Sequence, residues 1–60
     1  MATSDTKNNV INKFIQIESW AYRGRHMVDR STPDYDRAVL ATKRIRNDLI
    51  ELETLLKMES

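Results

Sequence analysis

Apolar residues recur along the first half of the chain at Val10, Phe14, Ile17, Ala21, Gly24 and Val28, in alternating steps of four and three that place them on one face of a helix. The second half carries a matching series, Tyr35, Ala38, Thr42, Ile45, Leu49, Leu52 and Leu56. The pattern predicts one helix over about 5–29 and a second over about 33–57, with a turn over about 30–33 between them. Thr32 reads as the N-cap of the second helix and Pro33 as its first residue, where a missing N–H costs nothing. Asp34 and Asp36 then complement the helix dipole. Residues 1–6 and Glu59-Ser60, with nothing to pack against, are expected to fray.

If the chain doubles back at Pro33, the two stripes meet layer by layer: Val28 with Ala38, Gly24 with Thr42, Ala21 with Ile45, Ile17 with Leu49, Phe14 with Leu52 and Val10 with Leu56. A short connection favours such antiparallel neighbours. The expected fold is therefore all-α, a single domain over 1–60 built as an antiparallel two-helix hairpin. Gly24 is its weak point, since a glycine inside a helix costs about 1 kcal/mol relative to alanine and can end the helix early. The Gly24–Thr42 layer reads either as a small layer, with the threonine hydroxyl bonded back to its own helix, or as a ligand cleft.

One stripe per helix does not use all the apolar residues. Ile11, Ile15, Leu40, Ile50 and Leu55 flank it, and a lone hairpin would leave them wet. Sixty residues also lie near the lower limit for independent folding. Disulfides are excluded by the absence of cysteine, and a zinc site is unlikely chemistry for a chain with one histidine and no thiolate. Self-association remains, with a dimer forming a four-helix bundle as the simplest solution. Neither a signal-like apolar segment nor a membrane-length one is present, so a cytoplasmic protein without membrane contact is expected.

Charge divides the chain more than its net value of +1 suggests. Residues 23–46 hold seven basic groups against three acidic ones, a balance of +4, and the remainder carries −3. Arg23, Arg25, Lys43, Arg44 and Arg46 form a candidate anion-binding band beside Trp20 and Tyr22, suited to RNA, DNA or a nucleotide-type ligand. The plainer reading is that these are solvated helix charges and that the aromatics line an interface. Trp, Tyr and Arg are the residue types enriched in binding hot spots, which makes Trp20, Tyr22, Arg23, Arg25 and His26 the candidate partner-recognition stretch.

Catalysis has little to work with. His26 is the only conventional general base, no glycine-rich loop or nucleophile elbow accompanies the serines, and Glu53 reads as an exposed partner of Lys57. No catalytic residue, cofactor site or metal site is expected. The primary expectation is a non-enzymatic interaction module, a regulator, inhibitor or co-chaperone, that acts as a homo-oligomer on another protein; the alternative is an anion binder.

Overall fold

The computed structural model describes residues 4–59 and consists of two helices of equal length, α1 (Ser4–Val28) and α2 (Tyr35–Glu59), packed against each other as a hairpin. Ser4–Thr6 and Glu59 are helical; the fraying expected of residues 1–3 and Ser60 lies outside the described residues. The molecule is a slab of 49 × 16 × 11 Å, with two broad faces and no third layer. Helix α1 runs through Gly24, whose φ is not positive.

The turn departs from the expected capping. Helix α2 begins after Asp34, not at Pro33: Asp34 Oδ1 accepts from the Arg37 N–H at 3.1 Å, and the Asp34 carbonyl accepts from the Ala38 N–H at 3.2 Å. The cap is therefore Asp34, not Thr32, because a carboxylate is a charged acceptor at the positive end of the helix dipole. The Asp34 N–H also donates to the Met27 carbonyl at 2.8 Å, satisfying a group left open at the end of α1. One residue thus closes both helix ends.

The inward positions keep the heptad rhythm but not the predicted stripe. Thr6, Val10, Lys13, Ile17, Trp20, Gly24 and Met27 are partly covered on α1, and Asp34, Ala38, Ala41, Ile45, Asp48, Leu52 and Leu55 are partly or fully covered on α2. Val10, Ile17, Gly24, Ala38, Ile45 and Leu52 were expected there. In each heptad, however, the second inward residue is the one before that predicted. Phe14, Val28, Tyr35, Leu49 and Leu56 are exposed as a result, along with Ala21 and Thr42.

Two local interactions account for the difference. Gly24 faces Ala41, not Thr42, across the helix contact, and the Thr42 hydroxyl donates to the Val39 carbonyl at 2.6 Å, so no Gly24–Thr42 cleft forms. Lys13 is tolerated inside because its ammonium pairs with Glu51 and with Asp48 at 3.5 Å, and donates to Gln16 Oε1 at 3.2 Å. Among the described residues only Ala41 and Leu52 are buried, at 6% and 4% exposure. So small a core leaves a single hairpin with little apolar burial to offset its chain entropy.

Candidate interaction surfaces

The slab's two broad faces differ in chemistry, and the heptad spacing explains why. Seven residues make almost two helical turns, so positions seven apart stack along one side of a helix. Arg23 of α1 and Arg37 and Arg44 of α2 line one groove between the helices, which shows that this flank of both helices opens on the same face. The opposite flanks must share the other face. That second face carries Phe14, Ala21, Val28, Tyr35, Thr42, Leu49 and Leu56, one residue in every seven straight through the turn. Three of its large members are about half exposed, Phe14 at 47%, Leu49 at 48% and Leu56 at 47%, and Tyr35 is more so at 65%.

The arginine face follows the same rule with opposite chemistry. Arg23, Arg30, Arg37 and Arg44 also recur every seven residues. Trp20, Met27, Leu40 and Ala41 supply the apolar part of the lining of a groove of about 360 Å³, and Arg23, Arg37 and Arg44 supply the basic part. The Arg23 guanidinium lies 4.9 Å from the centre of the Trp20 ring and that of Arg44 lies 5.6 Å from it. Two cations are therefore held against one indole by its negative face. Arg37 is drawn to the Asp34 carboxylate at 3.4 Å, whereas Arg23 and Arg44 meet no carboxylate among the described residues.

The predicted recognition stretch splits. Trp20 and Arg23 line the groove, while Tyr22 is 58% exposed elsewhere on α1, where its ring meets the His26 ring at 4.3 Å in a tilted arrangement and has the Arg25 guanidinium 5.8 Å from its centre. Of the predicted anion-binding band, Arg23 and Arg44 come together on Trp20; Arg25, Lys43 and Arg46 lie outside the groove. Arg37 was missed, although its sevenfold spacing from Arg23, Arg30 and Arg44 was available as a signal. The residues expected at an oligomer interface also separate. Ile11, Ile15 and Ile50 are exposed, Leu40 lies in the arginine groove, and Leu55 turns toward the other helix.

A polar patch at the open end holds Asn9, Asn12, Gln16 and Lys13. Glu51 holds the Lys13 ammonium above the ordinary lysine pKa by hydrogen bonding, against some desolvation, with Asp48 adding to the upward shift. One Asp48 oxygen, Oδ2, is buried without a hydrogen-bond partner. Among the described residues no three His, Asp or Glu side chains converge as metal ligands, and no helix is long and apolar enough to cross a membrane. Comparison with known proteins returns no match to a family, a curated protein or a solved structure.

Proposed function

We propose that this chain is a non-enzymatic interaction module whose working form is a homodimer, two hairpins joined through the apolar heptad face as a four-helix bundle, acting on a partner protein as a regulator, inhibitor or co-chaperone. The observation that carries the reading is the angle between two stripes. On each helix the apolar stripe of the sequence is displaced from the stripe that contacts the other helix by one residue at every second position. That displacement turns its centre by about 50°, half of the rotation per residue. In a square bundle the direction from a helix to the bundle axis lies about 45° from the direction to its neighbour. Residues such as Phe14, Leu49 and Leu56 thus sit where a bundle core needs them, and both helices are turned toward the same face.

Charge favours one orientation. The turn half carries +4 and the open half −3, so two hairpins laid head to tail set unlike halves against each other, whereas a parallel pair sets like against like. The rival reading, a binder of RNA, DNA or a nucleotide-type ligand, draws on the same arginines, but Trp20 already has two guanidiniums over its ring and is poorly placed to take a base.

Sedimentation equilibrium over a concentration series tests the proposal. The wild-type chain is expected at twice its chain mass, and Leu49→Glu and Val28→Glu are each expected to shift it toward the monomer. A wild-type chain that remains folded and monomeric throughout overturns the dimer.

A further inference from the structure

We propose that the groove lined by Arg23, Arg37 and Arg44 docks an acidic amphipathic helix of a partner protein. The inference rests on the interaction-module reading but uses the face opposite the one assigned to self-association. Its first support is charge. Three arginines converge from two helices on a groove whose lining contains no carboxylate, and Arg23 and Arg44 have no ion pair among the described residues. Cation–π contact with the Trp20 ring restrains both side chains, which lowers the entropy lost when each guanidinium forks onto a carboxylate.

The apolar part of the lining supplies the second support. Leu40, 59% exposed, lines the same groove as Trp20 and the three arginines, and an exposed leucine there is matched by an apolar anchor. A phosphodiester backbone offers no such anchor, and the bases it carries would have to displace arginine from the indole. A helix offers both chemistries in register, because acidic residues can flank an apolar ridge on one face. Arg37 and Arg44 are seven residues apart on α2, a rise of about 10.5 Å. The matching ligand therefore carries two carboxylates seven residues apart with leucine three or four residues from the first, all on one side of a helix.

Trp20 is the only tryptophan of the chain, so its fluorescence reads the groove directly. The probe is a capped synthetic peptide of about 16 residues, long enough for partial helix in water, with Glu at the two outer positions, Leu between them and an Ala/Gln background. Titration is expected to change Trp20 emission saturably. Replacing both Glu by Gln in the peptide, or Arg37→Gln with Arg44→Gln in the protein, is expected to weaken binding at least about tenfold, two charge-assisted contacts being lost in each case. Circular dichroism checks that the exposed-site variants remain helical.

Leu49→Glu, on the other face, is expected to leave peptide affinity unchanged within about twofold, as distant independent sites do. The wild-type chain separates the two proposals: a wild-type monomer that binds the peptide supports the groove and removes the dimer, and a wild-type dimer that does not bind does the reverse. No saturable change, or equal binding of the Gln peptide, overturns the inference. So does an oligothymidylate probe that binds more tightly and displaces the peptide, which would assign the groove to nucleic acid.

Discussion

A β-carbon placed on Gly24 would lie 3.1 Å from the Cβ of Ala41 on the other helix. Ala41 is buried and has no flexible end to swing aside, so any side chain at position 24 must push the helices apart. For Gly24→Ala, a helix-propensity gain of about 1 kcal/mol opposes that displacement, and urea unfolding is expected to show a net change below about 1 kcal/mol. Gly24→Leu has no such compensation and is expected to destabilise by about 1–3 kcal/mol through overpacking.

Leu52 is the largest side chain in the small core. Truncation to alanine should cost about 2–3 kcal/mol, the lower part of the range for buried leucine because the site opens toward solvent. Leu49→Ala provides the contrast. In an isolated hairpin the exposed Leu49 contributes little, whereas in a dimer it is covered, and its truncation is expected to lower the melting temperature and to steepen its dependence on protein concentration. Thermal scans at several concentrations distinguish the two cases.

Asp34 caps α2 and bonds back to the end of α1. Asp34→Ala is expected to lose about 1 kcal/mol, visible as a lower urea midpoint. Thr32→Ala, which removes the hydroxyl that sequence reasoning assigns to the cap, is expected to stay within about 0.5 kcal/mol of wild type.

The raised pKa of Lys13 has a pH signature. The hydrogen bond to Glu51 is the largest cause, so the folded state holds the Lys13 proton more tightly than the unfolded chain does. Its contribution to stability is complete below the unfolded lysine pKa of about 10.4 and fades as pH rises through the higher folded value. Urea midpoints measured across this alkaline range should fall more in wild type than in Lys13→Arg, which stays charged. Lys13→Met is expected to destabilise already at neutral pH by leaving Asp48, with Oδ2 unpartnered, without its counter-charge. Adding Asp48→Leu should recover much of that loss, since an apolar pair avoids the desolvation of two charges.

The heptad rhythm, the single break near Pro33 and the charge division are properties of the chain itself, and from them the helical hairpin follows. Val10, Ile17, Gly24, Ala38, Ile45 and Leu52 can be placed at the contact from spacing alone, because they belong to both stripes. Spacing cannot decide which neighbouring residue completes each heptad, since a rotation of about 50° per helix exchanges only every second contact. The tertiary structure decides that by the close fit of Gly24 to Ala41 and the pairing of Lys13 with Asp48 and Glu51 across the helices. Lysine and tryptophan read as outward residues in a linear pattern, yet both can cover apolar surface while keeping a polar end engaged. The same choice turns Phe14, Leu49 and Leu56 onto one broad face and brings Arg37 to Arg23 and Arg44 around Trp20 on the other. Only the packed pair of helices juxtaposes those arginines, because they come from segments that meet across the turn and not along the chain.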